Sequence, residues 1–139
     1  MKAWNKVGVV GAGTMGSGIA QIAAQAGCDV ILVDSSNEAL QRSQEKLAQV
    51  FARLIEKGRV TAHESESIQQ RITRVTTLDS MAPCDMVIEA VTENESLKIK
   101  VLQSIDALLS PQAILASNTS SISITKLAAA TSRPEKFIG

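Results

Sequence analysis

Several things are scarce in this chain, and each scarcity removes a class of function. Cysteine occurs only twice in 139 residues, at Cys28 and Cys84. The two are far apart and belong to no CxxC pair or metal-like cluster, so neither a disulfide framework nor a metal site is expected. Both read as small buried residues of a reduced, cytoplasmic compartment. No apolar run approaches the roughly 18–20 residues of a membrane span. Neither sign of charge prevails, with 14 Lys+Arg against 14 Asp+Glu, which argues against a nucleic-acid or bulk membrane partner. Histidine occurs once, at His63. No internal repeat, low-complexity tract or flexible linker interrupts the chain, and Met1-Lys2-Ala3-Trp4 leads into the first strand without a visible signal peptide. The length suits one domain with a real core.

What is present begins with glycine. Lys6 to Val10 is a Val-rich run, as a buried parallel strand should be, and it enters Gly11-x-Gly13-x-x-Gly16 directly. Gly11 permits a tight turn, Gly13 lets backbone approach a pyrophosphate, and Gly16 lets the next helix pack closely. That helix carries Met15, Ile19, Ile22, Ala23 and Ala26 at helical spacing and stops at Gly27. Its N–H groups and positive dipole end suit phosphate. A second apolar strand, Asp29 to Asp34, ends in an acid 18 residues after Gly16, close to the roughly 20 expected of a ribose-binding carboxylate. Strand, loop, helix, strand and acid together indicate a dinucleotide site. Asp34 repels a 2′-phosphate and no Arg follows it, so NAD is favoured over NADP; FAD stays open on these residues alone.

The rest of the chain alternates helices and strands. Ser35-x-x-Glu38 reads as a capping box opening a long helix with Leu40, Leu47, Phe51 and Leu54 on one face, closed by Lys57 and Gly58. Thr61-x-x-Glu64 opens a shorter helix to about Ile72. Strands are expected at Val75–Leu78, Met86–Val91, Ala113–Ala116 and Phe137–Ile138, and helices at Leu97–Leu109 and Ile124–Ala130. This pattern predicts an α/β fold, a doubly wound parallel sheet (Rossmann) in the order 3-2-1-4-5-6, with a helical hairpin inserted between strands 2 and 3. Arg42, Lys46, Arg53 and Lys57 fall within about 60° of one another around the long helix. They form either an ordinary solvated face, diluted by Glu38, Glu45 and Glu56, or a stripe for a polyanion.

Two further segments fall at strand ends, where a doubly wound sheet places its ligand. Ser117, Asn118, Thr119, Ser120 and Ser121 follow a buried strand and offer hydroxyls and an amide to a polar substrate and the nicotinamide ribose; Ser121 or Ser123 also suits a helix cap. Glu93 and Lys98 lie near the same rim. Glu89 sits in an apolar strand, where an unpaired carboxylate is costly, so it needs a partner or a half-exposed position.

The segments GAGTMGSGIAQ at 11–21, VIEAVTENESLK at 87–98 and ILASNTSSISIT at 114–125 resemble the NAD-binding domain of the L-3-hydroxyacyl-CoA dehydrogenase family, of the short bacterial 3-hydroxybutyryl-CoA dehydrogenase type. The likeness covers the whole chain, and SNTSS with the downstream Arg133-Pro134 is its most specific part. The resemblance implies oxidation of the 3-hydroxyl of an acyl-CoA thioester with hydride passing to NAD, or the reverse. It implies that Gly11, Gly13, Thr14, Met15 and Gly16 hold the pyrophosphate and Asp34 the adenosine ribose. Ala90, Glu93 and Lys98 would contact the nicotinamide half, with Asn118 lining the crevice beside it. Ser120 matches a catalytic serine bonded to the substrate oxygen. The hairpin would receive the CoA nucleotide through Lys57, although Val50 stands where the family has a serine.

Oxidising an alcohol needs a general base. His63 lies beside a cap with no implied carboxylate partner and reads as an exposed structural residue. The family's base follows an Arg-Pro…Ile-Gly segment, here Arg133 to Gly139. On that resemblance residues 1–139 are the NAD-binding domain, the base and a helical domain that makes a homodimer lie beyond it, and this stretch alone is inactive. Two other readings stay open: a 3-hydroxyacid (sugar-acid) dehydrogenase without CoA, and a non-catalytic NAD-binding protein.

Overall fold

The computed structural model describes residues 5–119 and 122–139. Its element order is β1 (Lys6–Val10), α1 (Thr14–Gln25), β2 (Asp29–Val33), α2 (Asn37–Glu56), α3 (Ala62–Gln70), β3 (Ile72–Val75), β4 (Met86–Glu89), α4 (Glu95–Leu108), β5 (Ile114–Ser117), α5 (Ile124–Ala129) and β6 (Phe137–Ile138). All five strand pairings are parallel, and the sheet runs β3-β2-β1-β4-β5-β6, the doubly wound order expected.

Each face of the sheet has its own apolar layer. On one, Leu40, Leu47 and Phe51 of α2 pack with Ala20 and Ala24 of α1 over Val7, Val9, Val30 and Leu32. On the other, Leu102 and Ile105 of α4 pack with Leu127, Met81, Val87 and Leu115. Phe51 is fully buried, and burying a side chain of that kind contributes about 1.5–3 kcal/mol. Leu54 packs against its layer while remaining half-exposed.

Four local expectations shift. Ser36, not Ser35, caps α2: its Oγ accepts from the Ala39 amide, while its own amide donates to Asp34 Oδ1 at 2.9 Å, a turn that moves the cap one residue on. β3 begins at Ile72 rather than Val75, because α3 ends at the cap residue Arg71 and Ile72 pairs at once with Val30; Leu78 instead opens a 3-10 turn, Leu78–Met81. β4 ends at Glu89, two residues before Val91, since Glu89 turns its carboxylate onto the Val91 amide. β5 and α4 shift by one or two residues, α4 starting after an Asn94 cap. The Thr61/Glu64 capping box forms with both of its bonds, and Ser123 caps α5.

Arg133 has a role that its sequence neighbours hide. Its guanidinium is almost wholly buried and donates to the carbonyls of Asp106, Leu109, Ser110 and Ala113, and to Asp106 Oδ1 at 2.6 Å. It therefore satisfies the orphan carbonyls of the α4 C-terminus, where a cation is also favoured by the helix dipole. Burial pushes the Asp106 carboxyl up, but the hydrogen bonds from Arg133 and Ser132 and the Arg133 charge outweigh it and hold the group below its usual value. No helix among the described residues is long and apolar enough to cross a membrane.

Candidate dinucleotide site

Register builds the site. Val10 pairs with Val33 on one side and Glu89 on the other, and Glu89 pairs with Ser117. One residue further on, Asp34, Gly11, Ala90 and Asn118 therefore stand in a row along the carboxyl ends of β2, β1, β4 and β5. These residues span more than a hundred positions in sequence and meet on one edge.

The three glycines of the loop meet different constraints. Gly11 has φ +109°, and a Cβ there would lie 2.6 Å from the Ala90 carbonyl oxygen. A Cβ on Gly16 would lie 1.7 Å from the Gly11 carbonyl oxygen, so Gly16 serves the loop's own closure more directly than the packing of α1 on the sheet. A Cβ on Gly13 would meet nothing within 4 Å. Gly13 is thus not needed by the protein; it leaves open the space in front of the α1 N-terminus, as a bound phosphate requires. Gly13, Thr14 and Met15 are exposed there. Ser17 locks the loop from behind: its Oγ donates to the Ala12 carbonyl at 3.0 Å and pairs with the Ser43 hydroxyl of α2 at 2.7 Å.

Asp34 is half-buried and pinned: Oδ2 accepts from the Ala12 amide and Oδ1 from the Ser36 amide, both at 2.9 Å. Each oxygen keeps a lone pair for a hydroxyl. Asp34 borders a cleft of about 230 Å³ whose walls are mainly apolar, with Leu78, Val91, Leu97 and Val101 facing Gly11 and Ser35. Sequence reasoning missed these wall residues. Leu97 is 41% exposed on the first turn of α4, and such an exposed apolar residue beside a strand end is the signal that could have found it.

Beyond β4 the rim is polar. Lys98 is fully buried and forms an ion pair with Glu89 at 2.7 Å, also fully buried. Its ammonium also donates to the Val91 and Asn118 carbonyls at 3.1 and 3.3 Å and lies 3.5 Å from Glu93 Oε1. Glu93 is exposed and accepts from Thr119 Oγ1 at 2.6 Å. Asn118 is exposed and Ala90 half-buried. Ser120 and Ser121 lie outside the described residues.

The remaining candidates sit elsewhere. Arg42 and Lys46 line a cavity of about 220 Å³ with Gly13 and Thr14. Lys57, the C-cap of α2, stands 15 positions from Arg42, about 22 Å along the helix. The basic stripe is therefore two separate pairs, an inner one at the loop and an outer one at the hairpin tip. His63 is exposed on α3. Among the described residues no group of three His, Cys, Asp or Glu is placed to hold a metal. Cys28 and Cys84 are buried and not joined in a disulfide. Burial pushes the Cys84 thiol up to about 11, with the Lys6 charge opposing and Asp85 adding.

Comparison with known proteins agrees with this geometry. Residues 6–139 match the family model described as 3-hydroxyacyl-CoA dehydrogenase, NAD binding domain. The chain belongs to this family. NAD is the cofactor of the domain, and the glycine loop, the pinned Asp34 and the open space at Gly13 fit it. The chain is 49% identical over 134 residues to the 3-hydroxybutyryl-CoA dehydrogenase of Bradyrhizobium diazoefficiens, covering 96% of this chain and 46% of that protein. It is 39% identical over 135 residues to the fatty acid oxidation complex subunit alpha of Psychrobacter cryohalolentis, covering 97% of this chain and 19% of that one. Among solved structures, (S)-3-hydroxybutyryl-CoA dehydrogenase PaaH1 from Ralstonia eutropha superposes with a TM-score of 0.94 at 48% identity, covering 97% of this chain and 48% of that chain. The chain thus spans about half the length of the 3-hydroxybutyryl-CoA dehydrogenases it matches.

Proposed function

We propose that this chain is the dinucleotide-binding domain, residues 1–139, of an enzyme that transfers a hydride between NAD and the 3-hydroxyl of an L-3-hydroxyacyl-CoA. The observation that carries the reading is the row formed by Asp34, Gly11, Ala90 and Asn118 at the carboxyl ends of four adjacent parallel strands. The apolar cleft beside Asp34 suits the adenine, and the carboxylate suits the ribose hydroxyls. The diphosphate would lie over Gly13, Thr14 and Met15 at the α1 N-terminus, with Arg42 and Lys46 behind it. Glu93, Ala90 and Asn118 would receive the nicotinamide half. Lys98, whose ammonium is already engaged by four oxygens, would act on that half through Glu93 and the loop carbonyls. NAD, when bound, supplies the hydride acceptor. Ser120 would hold the substrate oxygen, and the exposed Lys57 would meet the CoA nucleotide.

Hydride transfer from an alcohol also needs a proton acceptor. The chain's one imidazole, His63, is exposed on the hairpin. The 139 residues therefore bind NADH but do not turn over by themselves. Acetoacetyl-CoA-dependent NADH oxidation tests this directly: no turnover is expected, and a rate in the range of about 1–1000 s⁻¹ common for complete enzymes would overturn it. Binding is tested separately by NADH titration, where Asp34→Ala should weaken affinity about tenfold by removing a charge-assisted hydrogen bond; unchanged affinity would remove Asp34 from the site. We place the protein in the cytoplasm, in keeping with two buried cysteines not joined in a disulfide, and in a homodimer, which light scattering of the full-length protein checks. A dehydrogenase acting on a free hydroxyacid would bind that acid and not CoA; comparing the two ligands separates the readings.

A further inference from the structure

Glu89 has no part in the reading above, yet its carboxylate accepts three hydrogen bonds beneath the crevice. It is the last residue of β4, wholly buried beneath the rim. Oε2 accepts from Lys98 Nζ and from the Val91 amide, both at 2.7 Å, and Oε1 accepts from Ser117 Oγ at 2.5 Å. Its backbone carbonyl accepts from the Asn118 amide at 2.8 Å.

Burying a carboxylate and an ammonium together is expensive, and a well-packed apolar pair would join β4 to α4 at least as well. What an apolar pair lacks is direction. Glu89 and Lys98 send hydrogen bonds to both flanking loops: to Val91 in the β4–α4 connection, and to Ser117 and Asn118 at the end of β5. The Thr119–Glu93 bond adds a second tie between the same two loops. We propose that Glu89 is a positioning residue: it holds the two loops that receive the nicotinamide half at a fixed spacing, through Lys98, Val91 and Ser117, without touching the cofactor. The adenosine half, built on Gly11 to Gly16 and Asp34, does not depend on it. This inference rests on the dinucleotide reading.

The test is a split between ligands, measured by calorimetric titration of the 139-residue chain with NADH and with ADP, which lacks the nicotinamide ribose. In Glu89→Gln, NADH affinity should fall about tenfold or more, since small misplacements of contact groups are costly. ADP affinity should change less than about twofold, within the few tenths of a kcal/mol expected of an untouched site. The fluorescence of bound NADH should shift toward that of free NADH. Ser117→Ala, which removes one arm only, should show the same split at smaller size, and it decides the matter if Glu89→Gln does not fold. Equal weakening of both ligands would reduce Glu89 to a structural residue and overturn the proposal, as would no change in either. A wild-type chain that binds neither ligand would instead refute the dinucleotide reading itself.

Discussion

On the side of the crevice proposed for adenosine, the residues are neighbours in the chain: Gly11, Gly13 and Gly16 in one loop and Asp34 at the end of the next strand. Backbone borders the open space there, and side chains are small or absent. On the side proposed for nicotinamide the two loops are held from beneath by Glu89, Lys98 and Ser117, brought together from three elements, and a buried ion pair sets their spacing. The first half relies on excluding atoms, the second on satisfying charges. The two should therefore fail differently: the adenosine half by steric collision, the nicotinamide half by stranded charge.

The largest effect is expected from Lys98→Met, which leaves Glu89 buried with hydrogen bonds but no counter-charge. Breaking a buried pair from one side costs about 3–5 kcal/mol, measured by urea unfolding. A cost below about 1 kcal/mol, as for an exposed pair, would erase the contrast between the halves.

Next come the glycines, which sharpen the steric half. Gly16→Ala forces a Cβ to 1.7 Å from the Gly11 carbonyl and should cost about 3 kcal/mol or displace the loop. Gly13→Ala has open space and should leave stability within about 1 kcal/mol while weakening NADH binding. Parallel unfolding and titration curves check the pair. If Gly13→Ala bound NADH normally, no phosphate would approach that backbone.

A smaller effect lies at the far end of α4 and tests whether charge matters outside the crevice. The Asp106 carboxyl is held below its ordinary value in the folded chain, chiefly by Arg133 and Ser132 working against burial. The folded state then binds a proton less readily than the unfolded state. The resulting stability is fully present above about pH 4, the unfolded value. It is lost as pH falls through the lower folded value. Asp106→Asn should flatten this acid limb in unfolding curves taken from pH 7 to pH 3, and an unchanged limb would deny Asp106 the role. The smallest effect concerns Cys84, whose thiol is pushed up to about 11. It should not react with a thiol reagent at pH 8 until the chain unfolds.

Read alone, the residues carried the order of strands and helices, the glycine loop, the position of the acid Asp34 at the end of the next strand, and the likeness to the family. The elements and the loop follow from periodicity and from spacings that local geometry enforces, so neighbours in the chain suffice to read them; the family rests on the resemblance of three segments. The sequence also stated the problem of Glu89, a carboxylate in an apolar strand, without naming the solution. The tertiary structure decided the rest. Only strand register puts Ser117 beside Glu89, and only the packing of α4 brings Lys98 to the same carboxylate. Only the packing of α4 against the 3-10 turn gives Leu78, Leu97 and Val101 a shared cleft. Only the folded chain shows that Arg133 closes the C-terminus of α4. A buried charge or an apolar wall takes its meaning from what lies across the space it faces, and that distance is not written in sequence separation.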